Sequence, residues 1–265
     1  MIRLIVDGAA GRMGRRIVAL ASEDPEVKVV AGFEKAGFPE LGKDLGFLAG
    51  IGDLGVTVTE RREVAADVVV DFSAAESALD MIGWCAERGL AIVVGTTGLG
   101  EEGATRLDAA AKKVPCLMAP NMSLGVNVLL RVVADVAKAL GDAYDVEIVE
   151  AHHRFKKDAP SGTALALGES VAAALGRKLA EVCVHGRKGM VGERSTKEIG
   201  FHAVRCGDVV GEHTVIFGGL GERIEVRHVA SSRDTFVRGA LRAAKFLAGK
   251  PPGRYTMADV LGLGM

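Results

Sequence analysis

At 265 residues, 49% of them hydrophobic, the chain can bury one large core or two modest ones, and two domains are expected. Its 33 Lys and Arg against 34 Asp and Glu leave a net charge of -1, which excludes a global electrostatic pull toward nucleic acid or an anionic membrane. Cys85, Cys116, Cys183 and Cys206 form no Cys-x-x-Cys and sit in apolar or glycine-rich runs, as small core residues rather than disulfide or zinc ligands. With no leader and no apolar run of membrane-spanning length, a cytoplasmic protein is expected.

In chain order, Ile2 to Val6 is a short apolar strand. Gly8-Ala9-Ala10-Gly11-Arg12-Met13-Gly14 then opens a helix carrying Ile17, Val18, Leu20 and Ala21, and Val27 to Phe33 is the next strand. This βαβ unit has a G-x-x-G-x-x-G turn, and Glu34 stands twenty residues past Gly14 at the end of the second strand. A dinucleotide makes these demands: a turn too tight for Cβ, backbone close to a pyrophosphate, a helix dipole behind it and a carboxylate for ribose hydroxyls. Lys35 can meet a 2′-phosphate, so NADH and NADPH both stay open. Asp7 stands where a small or apolar residue ordinarily ends the first strand; its charge repels phosphate unless the side chain turns into the loop. Residues 36–55, rich in glycine and without periodicity, are expected to be a mobile loop before a strand at Val56 to Thr59.

Val68 to Phe72 is a strand of the kind buried on both faces of a parallel sheet. Ser73-Ala74-Ala75-Glu76 has the form of a capping box for a helix through Ala78, Leu79, Ile82 and Ala86, stopped by Gly89. A strand at Leu90 to Val94 leads into Gly95-Thr96-Thr97-Gly98, and a helix to about Lys113 precedes the strand Pro115 to Ala119. In a doubly wound sheet the turns after strands line the ligand crevice, which marks Phe72-Ser73, Gly95-Thr96-Thr97 and Ala119-Pro120-Asn121-Met122 as cofactor-facing. A helix from Ser123, closed by Gly141, leaves the alternating pattern, with a hinge at residues 121–123. Strands at Glu181 to His185, Lys197 to Val204, Glu212 to Phe217 and Glu222 to Val229 suggest a second, α+β domain. Ser232 caps a helix through Val237, Ala240 and Leu247 that returns to the first domain.

Between these lies the densest polar chemistry. Asp145 to Glu150 is a strand, and from Gly162 a helix presents Leu165, Gly168, Val171 and Leu175 on one side, stopped by Gly176. The join, from Ala151 to Ser161, holds His152, His153, Lys156 and Lys157. Pro160 is barred from a helix interior and Ser161 can cap, so Gly162 and Thr163 open the helix at the positive end of its dipole, a place for an anion. Imidazole suits proton transfer near neutrality. Adjacent His side chains on an extended segment diverge and no third ligand follows, so no metal is expected.

Five segments, Gly8–Gly14 with Glu34, Gly95–Gly98, Ala119–Asn127, Glu150–Ala164 and Gly207–His213, occur in the order and form of the 4-hydroxy-tetrahydrodipicolinate reductase family, which the chain resembles over nearly its whole length. It departs at Asp7 and at Cys206, where glycine is common. The resemblance implies an α/β protein: a Rossmann-like, doubly wound parallel sheet from residues 1–121 and 233–265 binding NADH or NADPH, and an α+β domain with a mixed sheet, residues 122–232, binding substrate. It implies reduction of a cyclic dicarboxylate, 4-hydroxy-tetrahydrodipicolinate, to tetrahydrodipicolinate with loss of water, on the diaminopimelate route to lysine, by a homotetramer. His152 becomes proton donor and acceptor, Lys156 a second donor, and His153, Gly162 and Thr163 substrate contacts. Gly8, Ala9, Ala10, Gly11, Arg12, Met13, Glu34, Lys35, Gly95, Thr96, Thr97, Ala119, Pro120, Asn121 and Met122 fall on the dinucleotide. A dinucleotide sensor without turnover, or a dehydrogenase of another small acid, would share the glycine turn, but the sensor has no use for His-His-x-x-Lys beside an anion site.

Overall fold

The first half alternates strand and helix: β1 (Ile2–Asp7), α1 (Arg12–Ser22), β2 (Val27–Phe33), α2 (Leu45–Ala49), β3 (Val58–Thr59), β4 (Val68–Asp71), α3 (Ala75–Arg88), β5 (Ala91–Val94), α4 (Gly100–Ala110) and β6 (Pro115–Met118). The computed structural model describes residues 1–263 and falls into two units, one of residues 1–124 with the chain from Asp234 onward, the other Gly125–Arg233. In the first unit Leu4 and Val6 of β1 face a layer with Ile17 and Val18, while Ile5 faces the opposite layer with Ala78, Ile82 and Leu107. Burial on both faces is why these strands are continuous apolar runs.

Local chemistry overrides pattern in two places here. Residues 36–55 are not a featureless loop: the Asp44 carboxylate caps α2 through the N–H groups of Gly46 and Phe47 and also takes those of Leu54 and Val56. These bonds close the loop on itself around buried Leu45, and with Val56 and Thr57 paired back to this segment β3 is left at Val58–Thr59. The capping box at Ser73 does not form either. The N-cap of α3 is Ala74, without a side-chain bond, because the Ser73 hydroxyl donates to Asp71 Oδ2 at 2.6 Å.

The second unit follows with α5 (Leu124–Leu140), β7 (Asp145–His152), α6 (Gly162–Ala174), α7 (Leu179–Val182), β8 (Cys183–His185), β9 (Ile199–Arg205), β10 (Gly211–Gly218) and β11 (Arg223–Ala230). Its sheet has the order β11-β10-β7-β9-β8, antiparallel about β10 and parallel from β7 to β8, so it is mixed as expected. Leu129 and Val133 of α5 and Leu167 and Val171 of α6 cover one face, packing on Ile148, Phe201, Val215 and Phe217. The buried side of α6 runs through Ala164, Leu167, Gly168 and Val171; Leu165, expected on it, is 39% exposed. The strand expected from Glu181 begins only at Cys183; Glu181 and Val182 end the short helix α7, whose turn tucks Leu179 into the core beneath α6.

Finally α8 (Asp234–Leu247), β12 (Gly253–Tyr255) and α9 (Met257–Leu261) return to the first sheet. Its order is β3-β2-β1-β4-β5-β6-β12, all parallel, and it reverses direction between β1 and β4, the point at which such sheets bind ligands. Cys85 and Cys116 are core residues, whereas Cys183 is half-buried and Cys206, in the turn after β9, is exposed. Among the described residues no helix is long and apolar enough to cross a membrane.

Candidate active site

Strand alternation places Val146, Ile148, Glu150 and His152 on the helix-covered face of β7. The strand runs two residues past its expected end because Ala151 and His152 keep pairing with Val204 and Arg205, so His152 is held in a sheet, not a loop. Glu150 is 1% exposed and fully engaged. Arg205, opposite His152 on β9, donates Nη1 to Oε2 and Nη2 to Oε1, both at 2.8 Å. The Ser161 N–H reaches Oε1 at 3.0 Å, and His152 Nδ1 lies 2.6 Å from Oε2. Burial works to raise the Glu150 pKa, but hydrogen bonds from Arg205 and His152 win and hold it below the ordinary carboxylate value.

An ionised Glu150 makes Nδ1 the protonated nitrogen of His152 and leaves the Nε2 lone pair available. Burial, outweighing the attraction of Glu150, keeps the imidazole below its ordinary pKa, so the ring is neutral at pH 7. A Cβ on Gly211 would stand 3.1 Å from Nε2; glycine keeps that side of the nitrogen open. Ser161 caps α6 by accepting from Ala164 N–H at 3.2 Å, and its Oγ lies 3.0 Å from Nε2 of His213. The His213 ring stands edge-on 5.2 Å from that of His152, and burial drops its pKa to about 4. Lys156 Nζ pairs with Asp158 Oδ1 at 2.9 Å, and His153 Nδ1 is buried without a hydrogen-bond partner. Gly162, exposed, and Thr163, half-buried, form the first turn of α6.

In the first unit a parallel sheet brings all the expected dinucleotide residues to one edge. Gly8–Met13, Glu34 with Lys35, Gly95–Thr97 and Ala119–Met122 follow β1, β2, β5 and β6. Gly8 has φ +75°, and a Cβ on it would lie 2.6 Å from the Phe72 carbonyl oxygen. One on Gly14 would lie 2.6 Å from Ala9 Cα, so turn and helix approach too closely for any other residue. The α1 N-terminus has neither a side-chain cap nor an acid in its first turn. These features fit a pyrophosphate. Glu34 Oε1 accepts from Ala10 N–H at 2.9 Å, and burial raises its carboxyl above the ordinary range. The Ala9 and Met122 side chains, 0% and 2% exposed, belong to the core, and Thr96 turns inward, which leaves these three their backbone for a ligand. Asp7 also turns inward and is 2% exposed, so it does not face the turn.

Family models for dihydrodipicolinate reductase match residues 2–122 with the N-terminal part and 125–261 with the C-terminal part. The chain belongs to the dihydrodipicolinate reductase family. Relatives named 4-hydroxy-tetrahydrodipicolinate reductase include that of Rubrobacter xylanophilus, 54% identical over 261 residues and 98% of both chains. That of Hahella chejuensis is 51% identical over 266 residues, 99% of this chain and 100% of its own. Among solved structures, a dipicolinate-bound dihydrodipicolinate reductase from Paenisporosarcina sp. TG-14 has TM-score 0.77 over 98% of both chains at 24% identity, a likeness of fold. Within this member of the dihydrodipicolinate reductase family, sequence reasoning overlooked the roles of Glu150, Arg205 and His213. An acid at an inward position, in phase with Val146 and Ile148, was the available signal for Glu150; His213 was signalled only as the end of the segment Gly207–His213, and Arg205, fifty-five residues from Glu150, gave none.

Proposed function

We propose that the chain reduces 4-hydroxy-tetrahydrodipicolinate to tetrahydrodipicolinate with loss of water, drawing on NADH or NADPH, in the diaminopimelate route to lysine. The observation that carries this is a neutral His152, fixed by Glu150 with Nε2 open, on the strand that leads to a capped helix N-terminus with Lys156 on the way. Family membership supplies the substrate. Residues 1–121 and 233–265 serve the dinucleotide, and residues 122–232 serve the substrate and the assembly of a cytoplasmic homotetramer. For that assembly the uncovered face of the mixed sheet offers Val204 and Val229, 45% and 48% exposed.

When bound, the nicotinamide supplies hydride to the carbon that loses its hydroxyl. The first turn of α6 at Gly162 and Thr163 binds one substrate carboxylate, and Lys156 exchanges Asp158 for the other. His153, with its unpartnered Nδ1, lies against the substrate. His152 Nε2 accepts the proton lost from the ring carbon beside the departing hydroxyl, while the Lys156 ammonium protonates that hydroxyl to water. The imidazolium so formed is a strong acid for this environment, since burial disfavours it, and it returns its proton to the ring carbon next to the one that received hydride.

The deciding experiment adds enzymatically generated 4-hydroxy-tetrahydrodipicolinate to each reduced cofactor. Oxidation of both is expected; oxidation of neither overturns the reading. Pyridine-2,6-dicarboxylate, planar and stable, is expected to compete with substrate, and Lys156→Ala to weaken it by about 1.5 to 3 kcal/mol in calorimetry, the scale of a charge-assisted hydrogen bond.

A further inference from the structure

Asp7 and Asp71 are the last residues of β1 and β4, paired in register at the point where the strand order reverses. Both are buried, at 2% and 0% exposure, and their register on adjacent parallel strands sets the two carboxyls side by side on one face of the sheet. Asp71 Oδ1 accepts from the Thr96 hydroxyl at 2.5 Å and Oδ2 from the Ser73 hydroxyl at 2.6 Å, and Thr96 Oγ1 in turn accepts from Ser73 N–H at 2.8 Å. The Ser77 hydroxyl donates to Asp7 at 3.3 Å, and Gly8 opens the glycine turn directly after it. Three turns after strands β1, β4 and β5 are thus tied to one pair of carboxyls. The groups facing Asp7 are Asp71 from β4, Ser73 from the turn after it, Ser77 and the Cys85 thiol from α3, and the Arg62 guanidinium from the segment before β4. Among the described residues neither carboxyl has an ion-pair partner, and Arg62 acts through its field alone.

Two buried carboxylates in contact, with no paired cation, cannot both ionise near neutrality. We propose that Asp7 and Asp71 hold one proton between them at neutral pH and act as positioning residues, their protonated pair fixing the glycine turn, Ser73 and Thr96 in the arrangement a dinucleotide needs. The inference rests on the assignment of these turns to the cofactor. Burial first, and the neighbouring Asp71 second, push Asp7 up to about 9. Loss of the proton puts two anions side by side where the three turns meet, and the turns part.

The test is cofactor affinity against pH, by calorimetry with NADH and NADPH, in the wild type and in Asp7→Asn, whose amide donates a hydrogen bond without titrating. Wild-type affinity is expected to hold from pH 6 to 8 and to fall about tenfold by pH 10, one unit beyond the proton's release, while Asp7→Asn stays level. Profiles that fall together overturn the proposal. The cofactor-free protein tests the proton alone. A carboxyl whose folded pKa is raised stabilises fully below its unfolded value, near 3.8, and loses that contribution as pH rises through about 9. The melting temperature of the wild type should therefore fall relative to Asp7→Asn across that window, and infrared spectra of the wild type should show a protonated-carboxyl C=O stretch at pH 7 that is gone at pH 10. If neither cofactor binds at pH 7, the assignment of the turns fails; a flat difference in melting temperature and no carboxyl band sink the shared proton.

Discussion

Each unit buries a carboxyl near the end of a central strand. Glu150, 1% exposed on β7, meets a bidentate guanidinium, a backbone N–H and an imidazole; Asp7, 2% exposed on β1, meets another carboxyl and the Ser77 hydroxyl. Desolvation is the leading influence on both, yet the first ends below the ordinary carboxylate range and the second far above it. Burial therefore does not decide ionisation by itself; the charge of the nearest partner does. In the second unit that partner yields a fixed anion that orients a proton-transfer group. In the first it yields a neutral acid that joins turns.

Four substitutions sharpen or break this contrast. The largest effect belongs to His152→Gln, which leaves Glu150 its hydrogen bond but removes the titrating ring: a loss of roughly one hundred to ten thousand fold in kcat is expected, with cofactor affinity unchanged in calorimetry. An unchanged kcat removes His152 from the chemistry. Next comes Arg205→Ala, which converts Glu150 into a buried carboxyl without a cation, the condition of Asp7. About 3 kcal/mol of stability should go at pH 7 in urea titrations, at the lower end for a broken buried pair because Arg205 is partly exposed. The sign with pH follows. The wild-type carboxyl, held low, keeps its full contribution down to its unfolded value, whereas the unpaired, buried carboxyl of the variant destabilises until it takes up a proton, so the gap between wild type and variant should narrow as pH falls toward 5. A gap that is constant with pH would mean the variant lost packing, not charge pairing.

Glu150→Gln is subtler. The carboxylate raises the pKa of His152 against the larger effect of burial, so its removal lowers that pKa further and should shift the acidic limb of kcat/KM to lower pH, with reduced kcat. A limb that stays in place would assign it to another group. The smallest effect is that of Lys35→Ala, an exposed residue beside Glu34. NADPH affinity should fall by less than about tenfold and NADH affinity hardly at all, as titration of each will show.

The first unit was legible wherever local pattern and tertiary environment agree. The βαβ start, the glycine turn and Glu34 could be read because the positive φ of Gly8 and the close approach of Gly14 to Ala9 are demands made inside the turn itself, although Gly8 also meets Phe72, and β2 matches its expected bounds, Val27 to Phe33. Illegible features are those set by specific side-chain bonds, near or distant in sequence. Ser73 has the sequence of a cap, but Asp71 takes its hydroxyl; Asp44 organises α2 through N–H groups up to twelve residues away, which no periodicity records. At the site, His152 and the Ser161 cap were visible as residue types in a suggestive order. The orientation of the ring was not, since it depends on Arg205 and a strand pairing more than fifty residues removed. β12, three residues long, is too short for any alternation to show.

The return of α8 to the first sheet carries a consequence for how the chain is made. Leu4, Val6, Val68, Val70, Val93 and Leu117 share their layer with Val237, Ala240, Ala244 and Leu247. On a ribosome, those strands emerge more than a hundred residues before the helix that covers them, and at about 5 to 20 residues per second the face stays bare for roughly 6 to 23 seconds or longer. The intervening unit has its own core and can close meanwhile. Nascent chains stalled just short of residue 234 should thus present one folded unit and one sticky, half-roofed sheet, and bind hydrophobic-surface chaperones that release them once α8 has emerged.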